Sequence, residues 1–401
     1  MKLKNLSLAV CAILLLSGFK PLPQNPDIDW VQKSIDRAQF QLNLLARTVD
    51  NLHPDSTFFP RTISKGNKLR LSGAHDWTSG FFSGTLWYAY ELSGNKQLAV
   101  EARKFTEKLA QIQYYKGIHD VGFMMMSSYG NGIRLIPCKG DSLVLINTAK
   151  SLATRFHPEV GLIKSWDHEP AWKYPVIIDN MMNLELLFEA SKMTGDDSYK
   201  NIAISHADKT MKNHFRPDIS TYHLVSYDPE TGVVLTKETH QGYSNSSSWA
   251  RGQAWGLYGY TVCYRYTHDK KYLDWSQKIA GYIMSNVITE DKIPYWDYNA
   301  PDIPNAPRDA SAAAVTASAL LELSQECENG QNYFNYAEKI LNSLSSDKYL
   351  AQKGKNLGFI LMHSVGSYPH NSEVDVPLNY ADYYYLEALK RYVDICKSNK
   401  K

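Results

Sequence analysis

Hydrophobic and polar positions alternate along the chain in the manner of helix after helix, with one local pattern recurring. A turn rich in Gly, Asp or Asn is followed by a spaced aromatic or aliphatic residue and then an alanine. It occurs as Ser93-Gly94-Asn95 before Leu98 and Ala102, and as Gly140-Asp141 before Leu145 and Ala149. It returns as Thr194-Gly195-Asp196 before Tyr199 and Ala203, as His268-Asp269 before Tyr272 and Ala280, and as Asn329-Gly330 before Tyr333 and Ala337. Each turn follows an apolar stretch such as Met181 to Met193 or Ala312 to Leu323. A Gly just past a helix end, then a polar cap and a new amphipathic helix, is the chemistry of an αα-hairpin.

The apolar pattern also separates two kinds of helix. Between Asp179 and Met193, Met181, Leu184 and Phe188 form one stripe, and Met182, Leu186, Leu187 and Ala190 widen it to most of the circumference. Such a helix is buried on several sides, as an inner helix would be. The segment from Tyr272 to Ile283 alternates more, with Gln277 and Lys278 on a polar face, and reads as an outer helix. Arg216 to Ser248, rich in Ser, Asp and Gly, reads as loops and short strands. The spacing of the turns exceeds that of a simple solenoid unit. With no Pro-rich or low-complexity linker, the chain predicts a single all-α domain of two-layered helical hairpins over residues 21–401.

Residues 1–20 read differently. Lys2 and Lys4 precede an apolar run from Leu6 to Leu16, followed by Ser17 and Gly18. This is the pattern of a signal peptide, and the run is shorter than the ~20 apolar residues a membrane-spanning helix needs. The expected location is the periplasm, with no membrane insertion once the leader is removed.

Composition narrows the chemistry further. The 401 residues are 44% hydrophobic and 21% charged, with a formal net charge of +2. Basic residues are scattered, with no Lys/Arg block to track a phosphate backbone, so nucleic acid is not an expected partner. Cys138, Cys263, Cys327 and Cys396 show no CxxC or Cys/His metal spacing and read as buried free thiols. A GxSxG elbow, a P-loop and an HExxH motif are all missing from the sequence.

Four segments are richer in aromatic and ionisable groups than packing requires. His75-Asp76-Trp77 precedes a Gly-flanked helix start, where Trp77 is either a stacking platform for a sugar ring or a core residue beside a cap. In His119-Asp120-Val121-Gly122, Asp120 is a catalytic candidate or an N-cap. Asp179 follows three apolar residues and opens an apolar helix, again as a cap or as a general acid–base group. Burial raises a carboxyl pKa and a helix N-terminus lowers it, a balance suited to giving and taking a proton. In the fourth segment, Ser248, Arg251 and Trp255 fall at i, i+3 and i+7, one face of a helix. Arg251 could hold a substrate carboxylate with two hydrogen bonds, or pair with a buried Asp. Two candidate carboxylates suggest cleavage of a glycosidic bond.

Taken together, these segments resemble the unsaturated glucuronyl hydrolases, glycoside hydrolase family 88. The matching strings are Trp77-Thr-Ser-Gly-Phe, His119-Asp120-Val-Gly-Phe-Met, Ile178-Asp179-Asn-Met-Met-Asn-Leu, His240-Gln241-Gly-Tyr and Ser248-Trp-Ala-Arg251-Gly-Gln-Ala-Trp255. Pro294-Tyr-Trp-Asp-Tyr, Arg308-Asp309-Ala-Ser, Ser372-Glu-Val-Asp-Val-Pro and Tyr380-Ala-Asp-Tyr-Tyr-Tyr follow in order. The resemblance implies an (α/α)6 barrel around a central cleft and a reaction with no metal or organic cofactor. The implied substrate is a lyase-generated oligosaccharide with a C4–C5 double bond in its terminal uronic acid. Hydration of that bond leads to release of the next sugar.

By the same resemblance Asp179 is the general acid–base and Asp120 the second essential aspartate. Gln241, Arg251 and Trp255 are substrate contacts, Trp77 stacks, and His223 is a further binding histidine. Ser364 and Ser367 have the spacing of two serines that relatives preferring sulfated glycosaminoglycan fragments carry, but Tyr368 and Pro369 follow where those relatives have a lysine. Glycosaminoglycan fragments are the expected substrates. The alternatives are an unsaturated rhamnogalacturonyl hydrolase acting on pectin fragments and a non-catalytic glycan-binding barrel.

Overall fold

A computed structural model describes residues 29–52 and 57–398; the expected leader, residues 1–20, lies outside them. Among the described residues, outer and inner helices alternate in six pairs. The outer ones are α1 (Asp29–Leu52), α3 (Lys96–Glu107), α6 (Asp141–Ala153), α8 (Asp197–Asn213), α10 (Lys270–Asn286) and α12 (Gly330–Leu344). The inner ones are α2 (Ser79–Ser93), α4 (Val121–Met125) continued by α5 (Asn131–Leu135), α7 (Leu184–Thr194), α9 (Ala250–Thr267), α11 (Ala310–Leu323) and α13 (Asn379–Ser398). Each inner helix packs on the next, α2 on α4, α4 on α7, α7 on α9, α9 on α11, α11 on α13, and α13 closes the ring on α2. This is an (α/α)6 barrel.

The two helix classes follow from their sequences. In α11 every residue but Glu322 is buried, so it can only lie inside the barrel. Along α10, Lys278 is exposed while Tyr272, Ile279 and Ile283 are buried, which is one layer further out. The turns behave largely as their chemistry requires. Gly94 and Gly195 end α2 and α7 at φ 71° and 74°, and His268 ends α9 at φ 52°. In each case the residue's N–H returns to a carbonyl four residues back. Asn95, Asp196 and Asp269 then cap the outer helices by accepting main-chain N–H bonds. The Asn329-Gly330 copy differs, because Gly330 already lies within α12.

One inner unit is irregular. Between α4 and α5 the chain makes a π-helical turn over Met126–Gly130, where Ser127 and Ser128 hydroxyls bond back to the carbonyls of Phe123 and Met124. Short antiparallel strands decorate one end of the barrel: β1 (Thr57–Ser64) with β2 (Lys68–Gly73), β3 (Phe156–His157) with β4 (Leu162–Ile163), and β8 (Ser364–Ser367) with β9 (Ser372–Val376). A three-stranded sheet joins β5 (Pro175–Ile177), β6 (Leu224–Tyr227) and β7 (Val234–Glu238). No helix among the described residues is long and apolar enough to cross a membrane. The expectation of buried thiols holds at Cys263 in α9 but is corrected at Cys138, exposed on the turn before α6, and at Cys327 and Cys396, which are only half-buried.

His214, at the end of α8, fastens that helix to the sheet. Its Nδ1 has no partner, so the ring hydrogen sits on Nε2 and is donated to the Val176 carbonyl at 3.0 Å. Burial pushes its pKa down to about 4, below the ~6.5 of an unfolded histidine. Between these values the unfolded chain binds a proton that the fold excludes, so stability is present above pH ~6.5 and is lost on acidification toward 4. The melting temperature should fall across that window. The fall should be shallower in His214→Gln, which keeps a donor for Val176; thermal denaturation at a series of pH values checks this.

Candidate active site

The inner helices all run the same way. Residues at their N-terminal ends, including Trp77 before α2, Asp120 before α4, Asp179 before α7 and Arg251 in α9, line one cavity of about 470 Å³. Their C-terminal halves, with Tyr88, Met193, Arg265 and Glu322, line a second cavity of about 660 Å³ at the other end. The second cavity is larger, but its charges are spent on one another. Arg265 bonds Glu322 twice and Glu185 once, and Arg391 pairs with Glu322 at 2.8 Å. The smaller cavity keeps unspent carboxylates and receives the positive ends of the inner-helix dipoles, which favour an anionic ligand.

Backbone bonds through Ser165 bring the two aspartates to this cavity. The fully buried Ser165 accepts from His119 N through its carbonyl, donates its N–H to Pro175 O, and accepts Ile177 N on its hydroxyl. The loop carrying Asp120 is thereby tied to β5, and β5 ends one residue before the 3-10 turn Ile178–Asn183 that carries Asp179. Contact from the other side is equally close. Asn183 Oδ1 accepts Phe123 N at 2.8 Å, and a Cβ on Gly122 would lie 2.6 Å from the Asn183 Cα. Gly122→Ala should therefore push α4 off the turn. We expect a loss of about 1–3 kcal/mol, an overpacking cost, with a parallel drop in activity, read by denaturation and by turnover.

Neither aspartate spends its side chain on a helix cap. Asp120 occupies the N-cap position of α4 but its side chain makes no capping bond. Its Oδ1 lies 3.2 Å from the buried His119 Nε2. Asp179 sits within the 3-10 turn rather than at the start of the α-helix itself. It is nearly buried, and its Oδ2 accepts no hydrogen bond. Asp309, by contrast, accepts Ser311 N and is a true cap of α11.

His223 faces Asp179, with Nε2 3.5 Å from Oδ2. Its Nδ1 accepts the main-chain N–H groups of His240 and Gln241 at 2.9 and 3.2 Å. The neutral ring therefore carries its hydrogen on Nε2, toward the carboxylate. Gln241 lines the cavity and donates Nε2 to the Gly366 carbonyl. Trp77 lines it too, leaning on Tyr380 with ring centroids 4.9 Å apart.

Other expectations meet a different arrangement. Helix α9 begins at Ala250 after Trp249, whose extended backbone (φ −65°, ψ 122°) leaves Ser248 outside the helix. Ser248, Arg251 and Trp255 therefore do not share a helical face. Trp255 is fully buried against Phe123 and Tyr384 and is not among the cavity-lining side chains. Arg251 reaches the cavity, but its Nη1 pairs with Asp309 at 2.9 Å and bonds the Val365 carbonyl, and its Nη2 bonds the Gly366 carbonyl at 2.6 Å. The buried-Asp pairing is thus the one present, and only Nε is left without a partner. Ser364 is buried, its hydroxyl unpartnered, and does not line the cavity. Ser367 does line it, bonded to His370 Nδ1 at 2.7 Å.

Sequence reading missed Trp166, His168 and His370, which also line the cavity. His240, quoted only as part of a string, stacks near Trp166 and His370 with centroids 5.6 and 4.7 Å apart. A cluster drawn from three separate loops leaves no spacing signal.

Residues 58–394 match the model of Glycosyl Hydrolase Family 88. The chain belongs to this family. It is similar to the unsaturated glucuronyl hydrolase of Formosa agariphila, 47% identical over 83% of this chain and 84% of that one. An unsaturated chondroitin disaccharide hydrolase of Streptococcus agalactiae is 33% identical over 90% of this chain and 91% of its own. Among solved structures, an unsaturated glucuronyl hydrolase specific for heparin superposes with a TM-score of 0.89 at 52% identity, covering 92% of this chain and 98% of that one. The family member is a glycoside hydrolase.

Proposed function

We propose that this family 88 hydrolase removes the terminal 4,5-unsaturated uronic acid from lyase-generated glycosaminoglycan oligosaccharides. Asp179 gives a proton to C4 while a water adds to C5 and returns its proton to the same carboxylate. The C5 hemiketal then opens, its ring C–O bond breaking to leave a ketone. The hemiacetal formed at C1 collapses to an aldehyde and releases the next sugar. Asp179 ends as it began, so one residue suffices for both proton transfers.

The observation that carries this reading is that Asp120 and Asp179 line one cavity, neither side chain spent on capping a helix. The Nε2–H of His223 faces the Asp179 carboxylate at 3.5 Å. Asp120 holds substrate beside it, and Trp77 offers a ring face. Gln241, its amide nitrogen held by Gly366, has a carbonyl oxygen left for a sugar hydroxyl. The inner-helix N-termini supply the field for the uronate carboxyl. Names of relatives that act on chondroitin and heparin fragments support the substrate class, and the N-terminal leader pattern supports action in the periplasm.

Absorbance of the conjugated ene-carboxylate, followed with unsaturated chondroitin, hyaluronan and heparin disaccharides, should decay on at least one of the three. Decay only on pectin-derived fragments would move the enzyme to the rhamnogalacturonyl class. Tight binding without decay on any substrate would leave a glycan-binding barrel.

A further inference from the structure

The β8–β9 hairpin forms one wall of the cavity, presenting Ser367, His370 and Ser372. Arginines hold it from different sides, with the half-exposed Arg70 adding a longer contact to Glu373 Oε1 at 3.3 Å. Arg251, from inside the barrel, takes the carbonyls of Val365 and Gly366 on β8. Arg61, from β1, grips Glu373 on β9 with two bonds, Nε to Oε1 at 2.5 Å and Nη2 to Oε2 at 2.9 Å. The remaining Arg61 contact, Nη1 to Asp76 Oδ2 at 2.6 Å, reaches the loop before α2. Asp76 in turn accepts Thr78 N and the Thr78 hydroxyl, which fixes the turn on which Trp77 stands.

This arrangement costs free energy that packing alone does not require. Arg61 and Glu373 side chains are only 14% and 5% exposed, so two charges are largely withdrawn from water. Glu373 sits at φ 56°, with Asn371 and Asp375 of the same hairpin at φ 46° and 56°. Such left-handed backbone is unfavourable for residues other than glycine and concentrates where a site must be held in one shape. Arg61, Asp76 and Glu373 join two wall segments of the cavity, one bearing Trp77 and the other Ser367 and His370.

We propose that Arg61, through Glu373 and Asp76, is a positioning residue that sets the spacing of these wall segments and so the enzyme's selectivity for the sugar on the leaving side of the scissile bond. Asp179, which carries both proton transfers, and Asp120 beside it are on neither of these segments, so chemistry on the unsaturated ring itself does not depend on the clamp. The inference rests on the activity proposed above.

The test compares two substrates, an unsaturated disaccharide and the methyl glycoside of the same unsaturated uronic acid, which has no second sugar. In Arg61→Gln, kcat/KM for the disaccharide should fall about 10-fold or more, mainly through KM, as misplacement of a binding wall implies. The value for the methyl glycoside should stay within about twofold. Glu373→Gln, which keeps the size of the side chain and can still accept one bond, should move the same ratio in the same direction if Arg61→Gln fails to fold. An equal fall on both substrates, or no change on either, overturns the clamp. A wild-type enzyme inactive on every unsaturated substrate would instead overturn the proposed activity.

Discussion

Replacing Asp179 by Asn should reduce turnover by roughly 10²–10⁴-fold or more, the range over which positioned acid–base groups act, while leaving the fold unchanged. The amide is nearly isosteric and can neither give nor recover the proton that C4 and the attacking water require. Little structural cost is expected, because the side chain caps no helix and its Oδ2 accepts no hydrogen bond. Asp309→Asn would be a poor control, since that carboxylate is bonded to Ser311, Val365 and Arg251. Turnover and thermal unfolding measured on the same sample separate the two effects. Full activity in a folded Asp179→Asn would remove Asp179 from the mechanism.

The second large effect falls on stability. Arg251→Met should cost about 3–5 kcal/mol in denaturant unfolding without any ligand, because it leaves Asp309 as a buried charge without its partner. The pair is nearly sealed from solvent, at 1% and 0% side-chain exposure. Losing the guanidinium also frees the Val365 and Gly366 carbonyls, so the hairpin that walls the cavity loosens and activity falls with stability. Combining Arg251→Met with Asp309→Asn should restore part of the loss, since the unpaired charge is gone. An Arg251 that served only to bind substrate would leave unfolding unchanged in the single variant.

These two residues mark where sequence reading works and where it stops. Asp179 stood out as a lone carboxylate among Val176, Ile177, Ile178, Met181 and Met182, but a helix cap explained it as well until the family resemblance gave it an acid–base role. Arg251 was equally visible, but its partner Asp309 and the carbonyls of β8 are brought to it only by the closed ring of inner helices, so its alternatives stayed open. The hairpin repeat and the inner and outer layers were readable because burial on all sides requires apolar residues on all sides. Ser248 was misplaced onto α9 because nothing in its composition reveals the extended Trp249 that delays the helix start. The clamp of Arg61 and Glu373 spans a sequence separation of 312 residues and lies beyond any local pattern.

The central claim is that the enzyme hydrates the C4–C5 double bond rather than attacking the glycosidic carbon. Ultraviolet absorbance of an unsaturated glucuronyl thioglycoside tests it most directly, because sulfur in place of the glycosidic oxygen blocks protonation of a leaving group but leaves the double bond unaltered. Loss of the band at a rate comparable with the oxygen glycoside is the predicted result. A thioglycoside that keeps its band while the oxygen glycoside is consumed would contradict the account.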